Sequence, residues 1–227
     1  MFLTAVSPDD DRHMPRLLDR LDDAERERAA RFVFDRDRRT YAAAHALLRH
    51  ALDFQAGARA WRFAVEASGK PRLDPACDDI RFNLSHTDGM VAVALAQGQD
   101  VGVDVEATGR DPDEAALASL ALAPEEVADL DGFVDRRDRL LQLWVAKEAL
   151  AKAIGEGLSL PLQQVVVRGD PPRVVAMPSG YGAASTWWLC TERLGAHWLA
   201  LATGCLPSAI VRTELSVADL VGRTSGR

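Results

Sequence analysis

Cysteine is scarce in this chain of 227 residues. Cys77, Cys190 and Cys205 are odd in number, far apart, and form no CxxC pair. That excludes a disulfide framework or a thiolate zinc site as the organising element, and the simplest expected compartment is a reducing cytoplasm. Net positive charge is also missing. There are 27 Lys and Arg against 34 Asp and Glu, a formal charge of −7. This argues against general nucleic-acid binding and leaves room only for local basic patches. No apolar run reaches the roughly 18 residues of a membrane helix. Met1 to Arg12 has neither a basic n-region nor a long apolar stretch, so no secretory signal is expected there. What is present is ordinary: 48% hydrophobic and 27% charged residues. That balance fits a globular chain of one large domain or two small ones.

Periodicity divides the chain into two comparable halves. Asp19 to Asp37 mixes charges densely and reads as a solvated helix or helical turn. Tyr41, Ala44, Leu47, Leu48, Ala51 and Phe54 then recur at helical spacing. Trp61, Phe63 and Val65 alternate as in a strand, and strands are expected at 80–84, 90–96 and 101–105. After a Gly/Pro/Asp loop at 108–112, helical stretches are expected at 113–121 and 124–129, and a long helix at about 134–154. It stops where Gly155 and Gly157 appear. Strand-like runs follow at 164–168, 173–176, 186–191 and 196–203, then a polar tail from Thr213. An offset of 103 places Tyr41, His45, Leu47 and Arg49 on Trp144, Glu148, Leu150 and Lys152. The expected fold is therefore α+β: two similar halves, 1–107 and 108–227, packed as an intramolecular pseudo-dimer with the active site in the cleft between them. Small-molecule sites favour such interfaces.

Three segments could carry chemistry. In VGVDVE, Val101, Val103 and Val105 point to one side of a strand and Gly102, Asp104 and Glu106 to the other. The two carboxylates then share a face, roughly 6.5–7 Å apart at their Cα atoms. In LWVAKEALAKAIGEGLSL the apolar stripe is Leu143, Ala146, Leu150, Ala153 and Ile154. Glu148 and Lys152 lie nearly opposite it, spaced as a surface i,i+4 pair. Trp144 on their side suggests that this face is covered. Asp104, Glu106 and Glu148 together are three hard oxygen donors, which repel one another unless a cation joins them. Oxygen-only ligands favour magnesium over zinc, and magnesium keeps positions open for a phosphate. In FNLSHTDG, Ser85 and His86 stand at a strand exit. Adjacent side chains on a strand point apart, so these two form no catalytic dyad. Hydrogen bonding to an anion suits them better, with Lys70 of a nearby turn as a further cation.

These motifs resemble the 4′-phosphopantetheinyl transferases of the longer, Sfp-type class. They are SGKPRL at 68–73, FNLSHTDG at 82–89, VGVDVE at 101–106 and WVAKEALAKAIGEGLSLPL at 144–162, with RAARFVFDRDRRTY upstream. The resemblance implies an Mg²⁺-dependent enzyme, with Mn²⁺ as a possible substitute. Such an enzyme moves phosphopantetheine from coenzyme A to a serine of an apo acyl, peptidyl or aryl carrier protein and releases adenosine 3′,5′-bisphosphate. It implies metal ligation by Asp104, Glu106 and Glu148, and catalysis by Glu148 as general base and Lys152 as acid or charge stabiliser. It implies coenzyme A contacts at Lys70, Ser85, His86 and Lys152, and a 3′-phosphate contact at Arg28. Arg31, Arg38 and Arg39 are further basic candidates, and Lys147 either contacts phosphate or balances charge. It also implies a cytoplasmic monomer, with carriers drawn from fatty acid, polyketide, siderophore or nonribosomal peptide synthesis.

The apolar segment Leu117 to Leu130 is the expected carrier-docking surface. Two other readings compete: a metal-dependent nucleotide or pyrophosphate hydrolase that uses the same acids, and a non-catalytic coenzyme A binder in which the acids are a surface cluster.

Overall fold

The computed structural model describes residues 1–66, 69–77, 79–109 and 113–222. Ser68 of the SGKPRL motif, the end of the expected 108–112 loop, and the last part of the polar tail lie outside the described residues.

The elements run in a repeated order. The first half comprises β1 (Phe2–Ala5), α1 (Met14–Asp19), α2 (Asp23–Ala30), α3 (Asp35–Ala56), β2 (Phe63–Val65), β3 (Pro71–Leu73), β4 (Ile80–Thr87) and β5 (Met90–Gln97). The second comprises β6 (Val101–Ala107), α4 (Glu114–Ala121), α5 (Pro124–Leu130), α6 (Arg136–Ile154), β7 (Val166–Arg168), β8 (Arg173–Ala176), β9 (Trp188–Leu194) and β10 (His197–Thr203). The sheets follow the same plan. One is ordered β1-β5-β4 and the other β6-β10-β9, antiparallel in each case. β11 (Thr213–Leu215) adds a parallel edge to β1, and α7 (Val217–Gly222) follows it. The polar tail thus begins as a strand before it turns helical. A boundary at 107 would group β6 with the first half, yet β6 is laddered to β10 along its whole length, from Val101↔Thr203 to Ala107↔His197.

Packing explains the order. In α3, Leu47, Leu48, Ala51 and Leu52 pack on Phe2, Phe82, Val91 and Val93. In α6, Ala146, Ala149, Leu150 and Ala153 pack on Leu189, Ala200 and Ala202. The opposite sheet faces meet each other: Leu3, Ala92 and Ala94 against Val101, Val103, Val105, Leu199 and Leu201. The layers are therefore helix, sheet, sheet, helix, and strand alternation supplies both faces. Helix α6 is buried on most of its circumference because α4 and α5 cover the side away from the sheet.

Helix ends are set by the local sequence. Asp22 accepts from the Glu25 amide, and the Glu25 carboxylate accepts from the Asp22 amide, a capping box that opens α2. This cap breaks the charge-dense 19–37 segment, which holds the end of α1, the whole of α2 and the start of α3 rather than one helix. Glu126 holds the same position in α5, accepting from the Ala123 amide. Each of these glutamates also reaches the long helix of its own half: Glu25 to His45 and Arg49, Glu126 to Lys147. Phe54, expected on the buried stripe of α3, is mostly exposed and rests edge-on against Phe2. No helix among the described residues is long and apolar enough to cross a membrane.

Candidate active site

The site begins with a glycine. A Cβ on Gly102 would lie 2.0 Å from the Ala149 carbonyl oxygen and 2.4 Å from the Ala153 nitrogen. Only glycine lets α6 sit this close to β6. Ala200 and Ala202 on β10 keep the same surface shallow. The face of Gly102, Asp104 and Glu106 is therefore covered by α6. Asp104 is only 4% exposed.

The close approach decides where the charged groups of α6 go. Lys152 Nζ donates to Asp104 Oδ1 at 2.6 Å and to Ser85 Oγ at 3.0 Å. Ser85 in turn donates to Asp104 Oδ1 at 2.8 Å. Residues from β4, β6 and α6 thus meet at one point, drawn from both halves. The cation on Asp104 is Lys152, and no Glu148–Lys152 ion pair forms among the described residues.

The three acids act as one electrostatic group. Burial raises the Glu148 pKa, Asp104 raises it further, Lys152 lowers it and Glu106 raises it again. Glu106 accepts from Thr87 Oγ1 at 3.2 Å. Glu148 Oε1 and Asp104 Oδ2 are buried without a hydrogen-bond partner. Buried anionic oxygens left bare cost free energy. Their hard, anionic chemistry fits a divalent cation such as Mg²⁺. Among the described residues, however, no three His, Cys, Asp or Glu side chains stand at metal-holding spacing. The donors fit the ion, but they are not preassembled around it.

The basic residues divide. His86 is on the open side of β4 while Ser85 is buried. Desolvation in the cleft lowers the His86 pKa, and the positive charges of Lys152 and His45 lower it further. His86 lines a cavity of about 400 Å³ with Phe32, Arg36, Thr40 and Thr87. Arg28 is exposed, its guanidinium 5.7 Å over the Tyr41 ring, without an ion pair among the described residues. Arg38 has a buried Nε without a partner. Arg31 pairs with Glu27 at 3.7 Å, and Arg39 is buried on Asp11 at 2.5 Å. Lys70 lies at the end of α6, donating to the carbonyls of Ala153 at 3.0 Å and Val101 at 3.4 Å. Burial lowers its pKa.

Lys147 does not face a phosphate. Its side chain is 0% exposed, and it donates to Glu126 and to the carbonyls of Ala121, Leu162 and Val165. It balances a buried carboxylate on the far side of α6. The sequence reading passed over Asn83 and Thr87, which share the face of Ser85 and bond β6. Their alternation with Ser85 was the available signal. A cavity of about 1110 Å³ lies elsewhere in the second half, between Phe133, Arg139, Asp170 and Trp198.

The sequence profile of the 4′-phosphopantetheinyl transferase superfamily matches residues 100–202, and that of the 4′-phosphopantetheinyl transferase N-terminal region matches residues 7–98. A protein of Synechocystis sp. assigned to 4′-phosphopantetheinyl transferase by name is 31% identical over 151 residues, 62% of this chain and 61% of that one. A 4′-phosphopantetheinyl transferase of Bacillus subtilis is 34% identical over 123 residues, 52% and 53% of the two chains. The 4′-phosphopantetheinyl transferase HetI of Nostoc sp. is 29% identical over 168 residues, 71% and 69%. The first two matches therefore span less than two thirds of those relatives. A solved holo-(acyl-carrier-protein) synthase of Bacillus anthracis aligns at 18% identity and TM-score 0.39 over 46% of this chain and 93% of that one, a likeness too low to carry an argument. Two adjoining profiles of one family cover both halves, and the relatives agree with them: this chain belongs to the 4′-phosphopantetheinyl transferase superfamily.

Proposed function

We propose that this chain transfers the 4′-phosphopantetheine group of coenzyme A to a serine hydroxyl of an apo carrier protein and releases adenosine 3′,5′-bisphosphate. The observation that carries this reading is the pair of bare, buried oxygens, Asp104 Oδ2 and Glu148 Oε1, beside the Lys152 ammonium where the halves meet. Family membership supplies the reaction class.

Asp104 and Glu148, with Glu106 beside them, would hold Mg²⁺, which when bound supplies charge stabilisation on the diphosphate. Lys152, bonded to Asp104, would steady the negative charge of the departing bisphosphate or give it a proton. Glu148 takes the proton of the incoming serine. Arg28 and His86 remain open to phosphates of coenzyme A, whereas Ser85 serves by holding Lys152 and Asp104 in place. Lys70, tied to two carbonyls, contributes from the edge of the cleft.

The carrier would dock on the outer side of α4 and α5, where Leu120 is 50% exposed and Val127 is partly open. Leu117, named with them from sequence, packs instead against the second core.

The test is incubation with coenzyme A, Mg²⁺ and a panel of apo carriers from fatty acid, polyketide, siderophore and nonribosomal peptide systems. A carrier mass gain of one phosphopantetheine is expected. Turnover of coenzyme A to free phosphopantetheine and adenosine 3′,5′-bisphosphate without a carrier would replace transfer by hydrolysis, and binding without turnover would leave only a coenzyme A binder.

A further inference from the structure

We propose that Asn83, Ser85 and Thr87 form a register lock between the two halves, and that Thr87 is the positioning residue for Glu106. The part concerning Glu106 rests on the transferase reading above. β4 and β6 belong to different sheets and share no backbone ladder among the described residues. Three side chains from one face of β4 take the ladder's place. Asn83 Oδ1 accepts from the Val103 amide at 2.9 Å, Ser85 Oγ from the Val105 amide at 3.3 Å, and Thr87 Oγ1 from the Ala107 amide at 3.4 Å. Each pair is 20 residues apart in sequence, so the strands keep step over three consecutive positions on one face.

Two of these side chains do a second thing. A hydroxyl has one proton and two lone pairs. Once it accepts an amide proton, its own proton is free to point at an acid. Ser85 donates to Asp104 at 2.8 Å, and Thr87 donates to Glu106 at 3.2 Å. The same arrangement of amide, hydroxyl and carboxylate therefore occurs twice, two residues apart. Each hydroxyl takes its place from the backbone and passes a direction to a carboxylate. Partners of this kind, one step behind a metal ligand, fix the ligand's orientation. The seam thus couples the docking of the two halves to the aim of the acids.

The test uses the full chain. In hydrogen exchange, the amides of Val103, Val105 and Ala107, bonded only to side chains, should exchange faster than those of Gly102, Asp104 and Glu106, which alternation turns toward β10. Thr87→Val should speed exchange at Ala107 and weaken Mn²⁺ binding, read by calorimetry, about tenfold or more. Thr87→Ser should restore both readouts. Wild-type Mn²⁺ affinity in Thr87→Val, or failure of Thr87→Ser to rescue, would overturn the role of Thr87. Should Thr87→Val not fold, Thr87→Ala carries the same expectation. Equal protection of the alternating amides in the wild type would overturn the lock by itself. A wild type that binds no Mn²⁺ and modifies no carrier would instead overturn the transferase reading, with the exchange pattern still deciding the lock.

Discussion

Lys152 Nζ stands 2.6 Å from Asp104 Oδ1, so the last full turn of α6 is tied to the middle of β6 by a charged hydrogen bond. Removing the ammonium leaves a buried carboxylate without its cation. Lys152→Met should lower transfer by about 100-fold or more and destabilise the chain by about 2–3 kcal/mol, less than a fully buried pair because Lys152 is partly exposed. Urea denaturation checks the second figure. Lys152→Met in an Asp104→Asn background should cost much less, since the charge it leaves behind is gone.

Glu148 shares its burial with Asp104 and Glu106, and like charges repel. Without divalent ions, Glu148→Gln should be as stable as the wild type or stabler by about 1 kcal/mol. Transfer should fall below detection. Added Mg²⁺ or Mn²⁺ should raise the Tm of the wild type but not of the variant. Equal metal-dependent shifts in both would remove Glu148 from the ion site.

Gly102→Ala tests the close approach of α6. The added methyl would overlap backbone atoms of Ala149 and Ala153, which cannot swing aside as a side chain can. The expected cost is about 3 kcal/mol or more, at the upper end for overpacking. Any folded fraction should lose transfer, because α6 carries both Glu148 and Lys152. A variant as stable and active as the wild type would refute the packing argument.

Glu25 gives the chain an acid-sensitive element outside the site. Burial alone would raise its pKa, but hydrogen bonds and charge from His45 and Arg49 outweigh it and bring it from 4.5 to about 2. A carboxylate with a lowered folded pKa stabilises above its unfolded value. The gain is lost as pH falls from about 4.5 towards 2. Allowing for solvent screening, it is on the order of 2 kcal/mol. Glu25→Gln should flatten stability against pH across that window and lower it at pH 7. An unchanged acid limb would show that the low pKa is not realised.

Leu120→Glu should raise the KM for carrier several-fold and leave the KM for coenzyme A unchanged. Equal changes in both would place the docking surface elsewhere.

The three lysines, Lys70, Lys147 and Lys152, show how far the sequence reaches. Five residues separate Lys147 from Lys152, about 140° around a helix. The spacing says that they face different ways. It does not say which one meets an acid, because that depends on which side of α6 the sheet covers. Only the close fit at Gly102 puts Lys152 on the Asp104 side and turns Lys147 toward Glu126.

Local patterning in this chain determined the long helices, the strand alternation that puts Asp104 and Glu106 on one face, and the motif order that marks the family. Those signals need only neighbours within a few residues, where backbone geometry fixes which side chains align. The tertiary structure alone decided that β6 joins β10, that α6 covers the acid face, and that Asn83, Ser85 and Thr87 stitch β4 to β6. Those pairings span 20 to about 100 residues of chain. They are chosen by how whole surfaces bury apolar area together, a property that no short stretch of sequence contains.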